Sequence, residues 1–164
     1  MYCAAPRGGV SRLGAALRRL NVALNFGVEI PFVDHLGFEL HLFEGGQSRI
    51  AYEPRPEHLN SFAVAHGGAI MTLMDVTMAA AARSVSQEMG VVTIEMKTTF
   101  MQAARGRLSG QGRLIHRTGS MAFTEATIFD AQGRACAHAT GTFKYVKRLP
   151  GQQVAGASNP ISTD

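Results

Sequence analysis

Cysteine is scarce in this 164-residue chain: Cys3 and Cys136 are the only two, far apart and without CxxC or metal-type spacing. A disulfide framework is thereby excluded, and a reducing compartment is the default. Long apolar runs are also missing. A spanning helix needs roughly 18 consecutive apolar residues, and the most apolar stretch, Ala69 to Ala82, is shorter and contains Asp75. No membrane span is expected. The six histidines, His35, His41, His58, His66, His116 and His138, include no HExxH and no i, i+4 pair, so no metal is expected. Gly110-Gln111-Gly112 is only a fragment of a dinucleotide loop, and no GK[ST] occurs, so no nucleotide cofactor is indicated. Acidic residues are absent before Glu29, while Arg7, Arg12, Arg18 and Arg19 fall in that stretch. Such a segment reads as an organellar presequence or as a loosely docked leading helix; a cytoplasmic protein is the expectation. The basic residues lack interleaved aromatics, which argues against nucleic acid as a partner.

What is present suits one globular core. Hydrophobic residues make up 46% and charged residues 17% of the chain, too apolar for disorder, and the length fits a single domain. Leu13, Ala16, Leu17, Leu20 and Leu24 recur at helical spacing, and Pro31 ends that helical reading. Two apolar-rich runs, Phe38 to Glu44 and Gln47 to Tyr52, flank Gly45-Gly46 as a hairpin. Pro54 and Pro56 open a loop. From Gly68 to Arg83 nearly every residue favours a helix, apolar on all sides and therefore expected to be enclosed. Four further strands follow, Val91 to Met101, Arg107 to Arg117, Met121 to Asp130 and Arg134 to Val146, which imply an antiparallel meander. The order is an α+β arrangement in which a curved antiparallel sheet wraps a central helix. The expected boundaries are an extension over 1–30 with an amphipathic helix, a domain over 31–148 and a disordered tail over 149–164.

One segment carries chemistry: Asn60-Ser61-Phe62-Ala63-Val64-Ala65-His66-Gly67-Gly68, running into the helix that bears Asp75. The helix starts at two glycines, not at a Ser, Thr or Asp cap, so its first N–H groups lack an obvious acceptor. Donors at the positive end of a helix dipole suit an oxygen gaining negative charge, and glycine allows close approach. Asp75 is the only charged residue between His66 and Arg83. Burying an unpaired carboxylate costs several kcal/mol, roughly, so its position invites a functional explanation; the alternative is a structural Asp satisfied by a hydroxyl such as Thr72. Eight residues at ~1.5 Å each place Gly67 and Asp75 ~12 Å apart. They can serve one carbonyl only if a second chain brings its own helix alongside, as a two-fold dimer does.

His66-Gly67-Gly68, with Asp75 nine residues after the His and Asn60 six before it, resembles the thioesterase signature of the hotdog superfamily, in its phenylacetic-acid-pathway and human thioesterase superfamily member 2 branch. The likeness runs from about Phe38 to Lys147. The resemblance implies a hotdog fold, homodimers that pair into a dimer of dimers, and hydrolysis of acyl-CoA to free acid and CoA without a cofactor. It makes Asp75 the catalytic carboxylate, as nucleophile or as base for water, and Gly67 the N–H donor to the carbonyl. Asn60 and His66 would orient thioester or water, with Thr93 helping to place the water and Gly68 and Met71 contacting substrate. Glu95 is expected on the strand face of Thr93 by alternation. Arg105, Arg113, His116 and Arg117 are candidates for the CoA phosphates, and Met71, Met74, Met78 and Met96 for the acyl pocket, with at least half of these four reading as helical core. An acyl-CoA sensor that does not cleave, and a hydratase or dehydratase, are the alternatives.

Overall fold

The computed structural model describes residues 23–147. The amphipathic periodicity over 13–24 and the tail over 149–164 therefore lie outside the described residues, except that Leu24 forms an isolated antiparallel bridge with Leu40. Pro31, expected to end a helix, has none directly before it among the described residues. It opens a short one, α1 (Pro31–Leu36), because proline at the first helical position has no N–H to leave unpaired. Gly37, at φ 76°, ends α1 in the left-handed conformation. The hairpin follows as β1 (Glu39–Glu44) and β2 (Gln47–Tyr52), with Gly45 and Gly46 both at positive φ in its turn. A 3-10 turn, Pro56–His58, precedes the long helix α2 (Gly67–Arg83). Then come β3 (Met89–Phe100), β4 (Leu108–Arg117), β5 (Met121–Phe129) and β6 (Ala135–Lys147).

All six strands form one antiparallel sheet in the order β1-β2-β4-β5-β6-β3, and α2 packs across strands β2 to β6. This is the hotdog arrangement. The four-strand meander is corrected to three: β4, β5 and β6 are joined by short turns and are neighbours, whereas β3 pairs with β6 at the far edge. The physical reason lies in the connections. Thr118-Gly119-Ser120 and Ala131-Gln132-Gly133 are tight turns, but residues 101–107 between β3 and β4 form a longer link able to cross the sheet.

The core face of α2 is Ile70, Leu73, Met74, Thr77 and Met78, packed with Ile50, Tyr52, Leu108, Ile128 and Phe143. Each fully buried side chain of this size contributes about 1.5–3 kcal/mol, so packing rather than propensity fixes the helix. The expectation of a helix enclosed on all sides is corrected, since Gly68 and Met71 are exposed and Thr72, Asp75, Val76 and Ala79 half-buried. Gly110 and Gly112 of β4 let α2 approach. A Cβ at Gly112 would lie 2.5 Å from Ser48 Oγ and 2.7 Å from the Thr77 carbonyl, and one at Gly110 would lie 2.7 Å from Thr77 Oγ1. The Gly-Gln-Gly triplet is a packing feature.

Among the described residues no helix is long and apolar enough to cross a membrane, and no group of three or more His, Cys, Asp or Glu could hold a metal ion.

Candidate functional site

The loop before α2 is built by backbone pairing and one asparagine. His66 N–H donates to the His58 carbonyl at 2.9 Å, and Ala65 N–H to the Ala104 carbonyl at 3.0 Å. Asn60 Oδ1 accepts from the N–H of Phe62 at 2.9 Å and of Val64 at 3.4 Å, closing the turn in which Ala63 sits at φ 53°. The amide oxygen of Asn60 is thus committed to the loop, which leaves its NH₂ as the group free to meet a substrate.

The expectation of an uncapped helix start is half corrected. His66 is the N-cap, and its Nδ1 accepts from the Gly68 N–H at 3.0 Å. An acceptor at Nδ1 puts the proton of the neutral ring on Nε2. A Cβ at Gly68 would sit 3.2 Å from that Nδ1, so glycine there keeps room for the cap. Among the described residues, the Gly67 N–H has no hydrogen-bond partner. Gly67 is not at positive φ, and a Cβ on it would lie 3.5 Å from the Phe100 ring. What a side chain at 67 would take up is space between Gly67 and Phe100. That space is a cavity of about 250 Å³, lined by Asn60, Gly67, Ile70, Phe100, Cys136 and neighbours.

Asp75 lies two turns further along α2. Its Oδ1 accepts from Thr93 Oγ1 at 2.7 Å, while Thr72 Oγ1 donates instead to the Gly68 carbonyl at 2.9 Å, so the hydroxyl that satisfies Asp75 comes from β3. Burial raises the Asp75 pKa above its ordinary 3.8, against the lowering effect of the Thr93 hydrogen bond. Around the carboxylate is a second cavity of about 370 Å³, lined by Ile30, Phe32, Val33, Met71, Thr72, Asp75, Val76 and Met96. Among the described residues Asp75 is the only charged one in its wall.

Thr93 stands opposite Phe143 on the face turned to α2, but the register between β3 and β6 slips between Thr93 and Glu95, so Glu95 stands opposite Thr142. Phe143 is buried and Thr142 is on the other face. The expectation that Glu95 shares the Thr93 face is therefore wrong, because a β-bulge inserts one residue and reverses the alternation. Of the four methionines, Met71 and Met96 line the Asp75 cavity, whereas Met74 and Met78 are fully buried core.

The basic candidates do not form one patch. Arg113 is paired with Glu125 at 2.6 Å, His116 stacks on Phe123 with centroids 6.1 Å apart, and Arg117 donates to the Val85 carbonyl at 3.3 Å, past the C-terminal end of α2. Arg105 donates to the Ala63 carbonyl beside the start of α2. Ten residues of β4 stand between these ends, roughly 30 Å. The sequence reading missed Phe32 and Ile30 as walls of the Asp75 cavity, since the Pro31 helix that carries them went unrecognised. Arg83 is tied to the Phe26 carbonyl, and neither it nor the Cys136 thiol, which burial pushes up in pKa, faces Asp75.

With this geometry in hand, comparison with known proteins is informative. Residues 62–137 match the family model of the thioesterase superfamily. A Saccharolobus solfataricus protein that carries the provisional name of an esterase is 29% identical over 106 residues, 64% of this chain and 75% of that protein. A conserved Pseudomonas aeruginosa protein matches in structure with a TM-score of 0.70 at 24% identity, over 73% of this chain and 97% of that one. The E. coli PaaI protein from the phenylacetic acid degradation operon matches with a TM-score of 0.68 at 18% identity, over 72% and 86%. At these identities the solved structures bear on the fold alone. The family match begins inside the loop, after Asn60, and takes in the glycine pair, Asp75 and Thr93; in fold the chain is a hotdog, and over residues 62–137 it is similar to the thioesterase superfamily.

Proposed function

We propose that the protein hydrolyses acyl-CoA thioesters to free acid and CoA, in a site that two copies of the chain complete together. The observation that carries this reading is the division of labour along α2. Among the described residues, Gly67 offers an unpartnered N–H at one cavity, and Asp75, held by Thr93, is the only carboxylate at another, ~12 Å away along the same helix. Neither alone can activate and attack one thioester. When a second copy sets its Asp75 beside the Gly67 of the first, the two cavities join. The carbonyl oxygen then accepts from Gly67 N–H, and the carbonyl carbon is attacked by the Asp75 carboxylate or by a water that Asp75 deprotonates. The C–S bond breaks and CoA leaves as its thiolate; attack by water gives the free acid directly, whereas attack by the carboxylate leaves the acyl group on Asp75 as an anhydride, which a water then opens to free acid and regenerated Asp75.

The long edge of β3 supports the place of that second copy. Among the described residues nothing pairs with it, and Val92, Ile94 and Phe100 on this strand are 45%, 55% and 53% exposed. An exposed, apolar, twelve-residue edge is a template for another strand. Asn60 through its NH₂ and His66 through Nε2 would orient the thioester, with Gly68 and Met71 beside it. The phosphate roles of Arg113, His116 and Arg117 rest on the resemblance only, and a dimer of dimers is where they would find a second surface.

The test is thiol release from short, medium, long and aromatic acyl-CoAs, with sedimentation of the same sample. Cleavage of at least one class by a dimer or tetramer is expected. Tight acyl-CoA binding without thiol release across the panel would replace the reading with that of a sensor, and water addition to an enoyl-CoA with that of a hydratase.

Thr93 gives a second expectation. Its hydroxyl lowers the Asp75 pKa, so Thr93→Val should move the acidic limb of the pH–rate profile to higher pH and lower the rate, while Thr93→Ser retains both. A limb that does not move in Thr93→Val would separate Asp75 from the titration that governs activity.

A further inference from the structure

We propose that the apolar cavity beside Asp75 receives the acyl arm of the substrate, and that Phe32 on α1 is the residue that sets how long an arm it accepts. The inference rests on the two-chain hydrolase site proposed above and assigns the two arms of its thioester.

A thioester bound between Gly67 of one copy and Asp75 of the other has an acyl arm and a pantetheine arm, and each leaves the carbonyl by one of the two cavities. The two walls differ in kind. Pantetheine carries two amides, whose donors and acceptors are costly to bury unpaired. The Gly67 cavity offers amide partners among the described residues: Asn60, with its NH₂ uncommitted, and Gln102, whose Nε2 donates to the Ala135 carbonyl at 2.7 Å and whose Oε1 accepts nothing. The Asp75 cavity offers no such partners. Apart from Asp75, the polar side chain in its wall is Thr72, whose hydroxyl already donates to the Gly68 carbonyl; the rest is aliphatic, aromatic or thioether. Pantetheine therefore leaves past Gly67, and the acyl arm enters beside Asp75. Each site takes the acyl group from one copy and CoA from the other.

The acyl cavity is walled by α1 with Ile30 just before it, by α2 and by β3. Met71 and Met96 are pliable walls. The α1 helix is anchored by the buried Val33 and Leu36, and by Arg55, which donates to the His35 carbonyl at 2.6 Å. Phe32 takes no part in that anchoring. It is 60% exposed, so folding gives no account of a large ring there, yet it stands in the same wall as Asp75. A cavity of roughly 150 Å³ holds one benzene ring, so about 370 Å³ at similar packing takes a chain of roughly a dozen carbons.

The experiment gives saturated acyl-CoAs, from butanoyl to octadecanoyl, to the unaltered chain, Phe32→Ala, Phe32→Trp and Gln102→Leu. In the unaltered chain kcat/KM should rise about fourfold per methylene, the worth of one buried CH₂, and level off at roughly a dozen carbons. Phe32→Ala should extend the rise by about two methylenes, which raises the ratio of hexadecanoyl to decanoyl kcat/KM about tenfold, and Phe32→Trp should end it sooner. Gln102→Leu should lower kcat/KM by one factor at every length. Because Phe32 is exposed, its variants should melt with the unaltered chain. A profile unchanged in Phe32→Ala, or scaled by one factor throughout, would overturn the assignment, as would a profile reshaped by Gln102→Leu. Dissociation constants for the same series, measured by calorimetry on Asp75→Asn with and without Phe32→Ala, should follow the same two profiles. If no acyl-CoA releases thiol, the hydrolase reading falls and these constants alone decide: a length limit that moves with Phe32→Ala upholds the pocket, and one that stays put overturns it.

Discussion

Asp75→Asn is expected to lower thioester turnover on the order of a hundredfold or more while the protein melts no lower than the unaltered chain at neutral pH. The two halves of this result have one cause. Burial raises the pKa of Asp75 above its ordinary 3.8, so the folded state disfavours the charged form, and ionised Asp75 is a standing cost to stability. For an acid whose pKa is raised on folding, the favourable contribution exists below the unfolded value and is lost as pH rises through the folded one. Asparagine cannot ionise and still offers an Oδ1 to the Thr93 hydroxyl. Its stability advantage should accordingly be present at neutral pH and shrink toward nothing below pH 3.8. Melting curves at neutral and acid pH, run beside the thiol-release assay, check both halves. A variant that melts lower at neutral pH would mean that the carboxylate holds the fold together, and one that keeps its turnover would remove Asp75 from the chemistry.

Gly112→Ala is expected to cost about 3 kcal/mol of folding stability, a drop in melting temperature of about 10 °C, with no chemical group of the site altered. The new Cβ would sit 2.5 Å from Ser48 Oγ and 2.7 Å from the Thr77 backbone carbonyl. Those two atoms are joined by a hydrogen bond of 2.6 Å in the buried seam between β2 and α2. The helix cannot yield locally, because Leu73, Met74 and Met78 around Thr77 have no exposed surface. Either α2 shifts as a unit or the Ser48–Thr77 bond breaks, leaving buried polar groups unpaired at a further ~1–3 kcal/mol. Thermal unfolding checks it. A change within about 0.5 kcal/mol would show that the seam has slack, and any loss of activity should track unfolding only.

Much of this architecture is legible in the amino-acid order, because the punctuation is chemical. Gly45-Gly46, Thr118-Gly119-Ser120 and Ala131-Gln132-Gly133 cannot continue a strand comfortably, and the strands end beside them. The α2 helix announces itself through an unbroken series of helix formers. Asp75 stands out by being the one charge within it, but its partnership with Thr93 does not, since eighteen residues and a sheet edge separate them in sequence. Three features escaped for physical reasons. Histidine is not a usual helix cap, so the use of Nδ1 by His66 left no pattern. Pro31 reads equally as a stop and as a first helical residue until α1 is seen to follow it. Nothing in the composition of 101–107 says that the link crosses the sheet, which is why β3 was placed beside β4 when it lies beyond β6.

The slip between Thr93 and Glu95 sets the two halves of one strand out of phase. Before it, odd-numbered side chains look toward the helix; after it, even-numbered ones do. Thr93, bonded to Asp75, and Glu95, which accepts from Thr142, thus sit two positions apart yet point to opposite sides of a single layer. Ile94 is the inserted residue, so its removal should leave Thr93 opposite Phe143 and Glu95 opposite Thr142 with every side chain on its present face, and take from the strand only the local bend that the insertion gives it.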